Sequence, residues 1–459
     1  MPHLALRPAA RPAMPDPLRR PLSRPLTRPI SGALSRPLRW LRPVALTLAA
    51  SLAPAMAAHA AKWFAWEAVE MPAATGASCG NGTPYRFFVN RTPFTSKTVV
   101  VFEGGGACWD QAACKGGTLL DAANPDGIPA NYMADFNKMA KLGLVTPFTA
   151  RIHPLQAVQT QSWNIVYVPY CTGDVHTGNQ VNVYTDSDPA QPLTYFHRGD
   201  KNGQALAAWL KANLPRPAHL LVTGFSAGGV GSTAQYPTLR TALNPVRMAL
   251  LADSGPLMIA PRTGTPQQYP SLPLHNKIRA TWGLDGAGGI LARLQAQFPG
   301  VVQNTDDLGL VGTALAQIYP QDRLGFAVFQ EDAIFSAFSY QKFFPDITAG
   351  NPGDAERKAR LNVRWRQDLD RWIAALSPRA NVGWYVPNSR DVNDSHCLTI
   401  ISFAGTGIRE AYLKDVGVFV DNLLATQGPV LRAFEQDRTA QPSPLDLHWL
   451  ITKFVGSLI

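Results

Sequence analysis

The sequence predicts an α/β fold: a mostly parallel central sheet flanked by helices, with long loop insertions. Three observations carry that expectation. Short, nearly continuous apolar and β-branched runs recur along the chain. Such runs suit strands buried on both faces. Stretches able to form amphipathic helices or long loops separate them, and one run ends in a glycine-flanked serine followed by small residues. With 46% hydrophobic residues, the 459-residue chain can bury enough apolar surface to offset chain entropy, which excludes a wholly disordered protein. Charged residues are only 16%, while 39 prolines and 37 glycines foreshadow extensive loops.

The elements begin with a segment that stands apart. Residues 1–60 hold nine arginines, no lysine and one acid, Asp16, a charge of +8 that leaves +2 of the total +10 for the rest of the chain. The high pI of about 9.4 is therefore a property of the leader. A nearly neutral body argues against nucleic acid or an anionic membrane as partner. The repeated Arg-Pro-Leu pattern cannot continue a helix, because each proline removes a donor and restricts the residue before it. After Arg42 comes the 14-residue apolar run VALTLAASLAPAMA. It is shorter than the roughly 20 residues of a membrane span. With small residues at Ala55-Met56-Ala57 and Ala58-His59-Ala60 it reads as a secretory signal. Residues 61–459 are expected to form a single α/β domain, secreted or periplasmic, with no stable membrane span after signal cleavage.

Seven runs in that body read as strands: TPYRFFVN, TVVVFEGGG, WNIVYVPYC, HLLVTGFS, VRMALLADSG, GFAVFQED and NVGWYVPNS. Between them, NGQALAAWLKANL places Leu206, Trp209, Leu210 and Leu214 on one helical face and closes at Pro215. GIREAYLKDVGVFVDNLLATQ reads as a second amphipathic helix, and His448, in LDLHWL, as a packed helix residue. Long insertions are expected at roughly residues 111–160, 257–320 and 340–378, where a lid or substrate wall would be built. Five cysteines follow the leader: Cys79, Cys108, Cys114, Cys171 and Cys397. Export favours disulfides. Cys108 and Cys114 form a plausible local bridge, while the other three allow three alternative second pairs. No zinc-site spacing occurs, and no metal is expected.

The chemistry starts at Gly224-Phe225-Ser226-Ala227-Gly228-Gly229, directly after the strand HLLVT and before a stretch that can be helical. Glycines flank a nucleophilic serine in this way because a sharp strand-to-helix turn has no room for Cβ atoms. Upstream, Glu103-Gly104-Gly105-Gly106 ends the strand TVVVF. Acyl transfer needs backbone amides converging on a tetrahedral oxyanion, and a glycine loop can present them. Gly105 and Gly106 are expected to do so together with the amide of Ala227. A base and an acid should follow the serine in sequence. Of the histidines after Ser226, His396 in NDSHCL follows a strand, as a loop at the sheet's carboxyl edge should. Asp332 in FAVFQED is the first choice of acid, with Asp253, Asp391 and Asp394 as rivals. Asp174 and His176, in YCTGDVHTG, either line the pocket or stabilise their loop.

The ordered set EGGGACW, PYCTGDVHTG, GFSAGGVGS, ADSG, a strand-end aspartate and SHCLT resembles the pectin acetylesterase family, which also includes the Notum carboxylesterases. The matches run from about Cys79 to His396. The resemblance implies an α/β-hydrolase fold, ester hydrolysis without a cofactor, and Ser226, Asp332 and His396 as triad, with Gly105, Gly106 and Ala227 as oxyanion donors. The chain departs from the family's pattern in placing Ala107 before Cys108 and Trp109 after it, which displaces the aromatic wall expected beside the oxyanion hole.

The resulting expectation is an exported serine esterase that removes acyl groups, first of all acetyl, from a polysaccharide or polyol such as an acetylated glycan. A carboxylesterase or polyester depolymerase acting on longer acyl chains is the alternative enzyme. A non-catalytic carbohydrate-binding protein on the same scaffold is the alternative of another class, disfavoured because a binder has no use for a strained serine turn. Trp109 and Tyr170 are candidates to close the acyl pocket.

Overall fold

The computed structural model describes residues 62–133, 146–153, 155–443 and 445–456. The chain divides into Met1–His59 and Ala60–Ile459, and the fold below belongs to the second unit. The arginine-rich leader and the signal segment lie outside the described residues.

Eleven strands are described: β1 (Trp66–Glu70), β2 (Arg86–Asn90), β3 (Thr98–Phe102), β4 (Asn164–Val168), β5 (Gln180–Tyr184), β6 (Leu193–His197), β7 (Leu220–Phe225), β8 (Met248–Asp253), β9 (Arg323–Ala327), β10 (Val382–Val386) and β11 (Arg432–Phe434). Nine of them form one sheet in the order β1-β2-β4-β3-β7-β8-β9-β10-β11, and β5 with β6 forms a separate antiparallel ribbon. β2 runs antiparallel to both β1 and β4. From β4 across to β11 every neighbouring pair is parallel. Helices flank this mostly parallel sheet, which is why NIVYV, LLVTGF and MALLAD are buried at every position rather than alternating. All seven sequence-read strands are present, as β2, β3, β4, β7, β8, β9 and β10.

Register positions the chemistry. Phe102 pairs with Gly224 and Phe225 with Asp253, so β3, β7 and β8 end level. Ala327 and Tyr385 continue the row on β9 and β10. The loops carrying Glu103, Ser226, Ser254, Asp332 and His396 therefore all open at the sheet's carboxyl edge, the usual ligand side of a parallel sheet.

Several elements differ from expectation. The stretch 407–427 is helical only over Gly417–Leu424. Its first half folds back, with a 3₁₀ turn at Arg409–Ala411 and a bridge between Ile408 and Leu413, because Tyr412 takes a positive φ of 55° that ends any helix. The insertion at 340–378 is mainly one 23-residue helix, Asp354–Leu376, whose Leu361, Trp365, Leu369, Trp372 and Leu376 form a buried stripe. His448 is helical but exposed, and its neighbour Trp449 is the buried residue, stacked over Gly405.

Glycines set the packing where strand, turn and helix meet. A methyl on Gly228 would lie 2.1 Å from the Phe102 carbonyl oxygen, and one on Gly224 2.2 Å from that of Gly228. Gly228→Ala must push the helix off β3, and is expected to lower stability by about 3 kcal/mol, an overpacking cost. Chemical denaturation checks this, and an unchanged midpoint would contradict the close approach.

Candidate active site

Ser226 stands between β7 and the helix Ala227–Leu243, at φ 56° and ψ −124°. A non-glycine residue rarely adopts a positive φ, so the surroundings must hold it there. Two hydrogen bonds do: the Ser226 N–H donates to the Asp253 carbonyl at 2.9 Å, and the Gly229 N–H donates to the Ser226 carbonyl at 2.8 Å. The turn lifts the side chain into a cleft of about 180 Å³ that Gly104, Gly105, Gly106, Ala227 and His396 also line.

Asp332 lies five residues beyond β9 and is fully buried. Its carboxylate accepts the Phe335 N–H at 2.8 Å, capping the short helix Ala333–Ser336, and accepts from His396 Nδ1 at 2.8 Å. The His396 ring is buried, and its Nε2 has no hydrogen-bond partner among the described residues. Burial opposes the imidazolium, but the charge and hydrogen bond of Asp332, then the charges of Asp253 and Asp394, raise the His396 pKa above its ordinary value. The structure thus brings Ser226 and His396 to one cleft, with the Asp332 carboxylate bonded to Nδ1 of the ring and the buried Nε2 left without a partner among the described residues.

Gly105 has φ 128°, a conformation suited to glycine alone. Loop neighbours Glu103 and Ala107 donate their N–H groups to Val168 and Leu120. The N–H groups of Gly105 and Gly106 find no acceptor among the described residues, and that of Ala227 opens a helix, where no intrahelical acceptor exists. Three N–H groups of cleft-lining residues are therefore without an acceptor among the described residues.

The rival acids are placed elsewhere. Asp391 is exposed and paired with Lys453, and Asp394 is exposed and paired with Lys358 at 2.7 Å. Asp253 is buried, but its carboxylate accepts from Leu398 and Thr399 rather than from His396. Asp174 and His176 do not line the cleft; both are buried behind the glycine loop. Asp174 accepts from Thr172, His176, Gly178 and Gly199, and burial raises its pKa to about 6. Burial lowers the His176 pKa to about 4, and its Nε2 contacts the Glu103 carbonyl at 2.9 Å, so a neutral imidazole braces the glycine loop.

Residues 58–272 match the family model described as pectinacetylesterase. Over that stretch the chain is similar to the pectin acetylesterase family. It is 24% identical over 171 residues to the palmitoleoyl-protein carboxylesterase NOTUM of Drosophila melanogaster, an alignment spanning 37% of this chain and 24% of that protein. The chain thus spans about a quarter of the length of the curated relative it matches. Two crystal forms of the Wnt deacylase Notum from Drosophila align with it over 81% and 70% of this chain and 95% and 84% of theirs, at TM-scores of 0.49 and 0.44 and identities of 16% and 17%.

Trp109 and Tyr170, the candidates to close the acyl pocket, are placed elsewhere. Trp109 packs on Phe338 and Phe343 and, like Tyr170, does not line the cleft. Sequence reasoning missed the walls themselves: Leu119, Leu120, Val175, Phe225, Ile334, Phe335, Phe338, Ile400 and Ile401. A signal existed, since AIFSAF directly follows Asp332 and LTII directly follows Cys397.

The predicted bridge Cys108–Cys114 is present, and the second pair is Cys79–Cys171. Cys397 is free and buried; burial first, then the charges of Asp253 and Asp332, keep its thiol protonated. The ligand atoms of Cys108, Cys114 and His197 lie within 4.8 Å of one another, but both sulfurs are bonded to each other and offer no thiolate to a metal. Cys108 also donates its N–H to Gly173 at 2.8 Å and accepts from Trp282, so the bridge anchors the exit of the glycine loop. In the double variant Cys108→Ser/Cys114→Ser, esterase activity is expected to fall at least tenfold at temperatures where near-UV circular dichroism still reports native packing. Loss of both signals together would assign the bridge to global stability instead.

Proposed function

We propose that this chain is an exported serine carboxylesterase in which Ser226 is the nucleophile, His396 the general base and Asp332 the acid that orients it. One observation carries the reading: a buried imidazole bonded through Nδ1 to a buried carboxylate, with its Nε2 unpartnered, lines the same cleft as a serine held at a strained strand-to-helix turn. In the proposed cycle Ser226 Oγ attacks the ester carbonyl and passes its proton to His396 Nε2. The oxyanion is received by the N–H groups of Gly105, Gly106 and Ala227. His396 then protonates the departing alkoxide, and a water deprotonated by the same Nε2 releases the acyl group from the serine.

Export is part of this proposal. It is supported by the signal-like segment in the sequence and by two disulfides, which suit an oxidising compartment. No helix among the described residues is long and apolar enough to cross a membrane.

For the acyl group, the family name favours acetyl on a glycan, whereas the cleft favours the second reading, a longer apolar chain. Its walls are nine aliphatic and aromatic side chains, of which an acetyl methyl would cover little. The relative's printed name, a palmitoleoyl-protein carboxylesterase, points the same way.

Three outcomes are expected. Ser226→Ala should lose kcat by several orders of magnitude, and Asp332→Asn on the order of 10⁴-fold, whereas Asp394→Asn should stay within a few-fold of wild type. Activity should fall in acid as His396 takes up a proton; because its pKa is raised, that loss begins at higher pH than for an ordinary histidine. On nitrophenyl esters, kcat/KM should rise about fourfold per methylene beyond acetyl, from about 0.8 kcal/mol per buried CH₂, until the cleft is full. An acetyl optimum would return the assignment to a glycan deacetylase.

A further inference from the structure

Asp253 ends β8 with a fully buried carboxylate that touches neither His396 nor the cleft. Its bonds lead to the loop after His396 and to the adjacent Ser254. Oδ1 accepts the Leu398 N–H at 2.9 Å and the Ser254 hydroxyl at 3.1 Å. Oδ2 accepts the Thr399 N–H and the Thr399 hydroxyl, both at 2.7 Å. Ser254 Oγ in turn accepts the Cys397 N–H at 2.9 Å. Three consecutive amides after His396 are thus gripped by one dipeptide, whose Asp253 carbonyl also holds the Ser226 N–H at 2.9 Å.

The loop so held would not keep its shape alone. Asn393, Asp394, Ser395 and Cys397 have φ between 46° and 66°, four strained residues around one histidine. A carboxylate is costly to bury unless donors surround it. An apolar residue could fill the space at the end of β8, but it could not bind the amides of Leu398 and Thr399.

We propose that Asp253, with Ser254, is a positioning residue that sets the separation between Ser226 and His396, an inference that rests on the reading of those two as nucleophile and base. The reason is geometric: proton transfer needs the two groups within hydrogen-bond reach, and a displacement of about 1 Å can cost about 10²-fold. Asp253 also contributes field. The charged groups around the His396 ring are Asp332 from the loop after β9, Asp253 from β8, and Asp394 of its own loop, which is paired with Lys358 on the helix Asp354–Leu376. Removing the Asp253 charge makes the imidazolium easier to deprotonate.

The test compares Asp253→Asn, Asp253→Ala and Ser254→Ala in the full exported chain, by ester kinetics across about pH 5 to 9 and thermal unfolding. Asp253→Asn is expected to lower kcat about 10- to 100-fold with KM changed less than about twofold, and to move the acid limb down by about half a pH unit. Asp253→Ala should lose more, so that asparagine is a partial rescue, and Ser254→Ala should lose about tenfold in kcat with the acid limb unmoved. If Asp253→Ala does not fold, the other two variants still decide. Wild-type kcat in Asp253→Asn and Ser254→Ala, or an unmoved acid limb in Asp253→Asn, would overturn the proposal. Activity surviving in Ser226→Ala would instead overturn the esterase reading, which is a separate failure.

Discussion

The positive φ of Ser226 is the constraint on which the rest of the carboxyl edge depends. Such a conformation costs on the order of 1–3 kcal/mol and persists only where its surroundings over-determine it. Here the helix Ala227–Leu243 is pressed so closely against β3 and β8 that Gly228 meets the Phe102 carbonyl and Gly229 the Asp253 carbonyl. That contact requires strands that do not yield. β3, β7 and β8 are buried at every position, so apolar burial on both faces of the sheet offsets the strain concentrated at its edge.

The second feature of this edge is how many polar groups it buries. Glu103, Asp174, Asp253 and Asp332 are all essentially inaccessible to water, and each accepts hydrogen bonds from the chain around it. Leaving such a group unpaired costs about 1–3 kcal/mol or more, so each carboxylate compels its loop to keep one conformation. Glu103 binds Tyr132 at 2.6 Å and the Tyr170 N–H at 2.8 Å, fixing the entry to the glycine loop. The buried Arg390–Glu435 pair, at 2.9 Å, anchors the start of the His396 loop, where the Arg390 N–H also meets Ser395 Oγ at 2.8 Å. The low dielectric that makes these groups demanding also strengthens the bond between Asp332 and His396.

How much was legible follows from the same physics. Strands buried on both faces announce themselves as continuous apolar runs, and the serine turn and glycine loop are local in sequence, so they can be read without coordinates. Asp332 was legible as a strand-end acid preceding the histidine. What was hidden is whatever depends on a partner far along the chain. β1, from WEAVE, is only partly buried at the sheet edge, and β5, from QVNVY, has no fully buried position, so neither has an apolar run to betray it. The choice of Cys171 for Cys79, 92 residues away, needed the fold, as did the pairing of Asp391 and Asp394 with lysines from other helices. Asp253 looked like a rival acid because strand-end position alone cannot say whether a carboxylate faces a ring or a row of amides.

Part of the cleft wall comes from the same two loops as Asp332 and His396, so in the proposed esterase specificity would be coupled to catalysis. Ile334 and Phe335 belong to the helical turn that Asp332 caps through the Phe335 N–H, and Ile400 follows directly on Thr399, which Asp253 holds. A substitution that reshapes the pocket at Phe335 pulls on the carboxylate that orients His396, and one at Ile400 pulls on the loop that carries it. Leu119 and Leu120 line the opposite side from the segment after the Cys108–Cys114 bridge, bonded to neither the acid nor the base, although the Leu120 carbonyl accepts from Ala107. Leu119, largely exposed at the rim, is the wall residue with the fewest ties to the reacting groups. In the proposed esterase, acyl preference would therefore change most freely at that rim, while the wall at Phe335 and Ile400 is held in place by the same hydrogen bonds that hold Asp332 and His396.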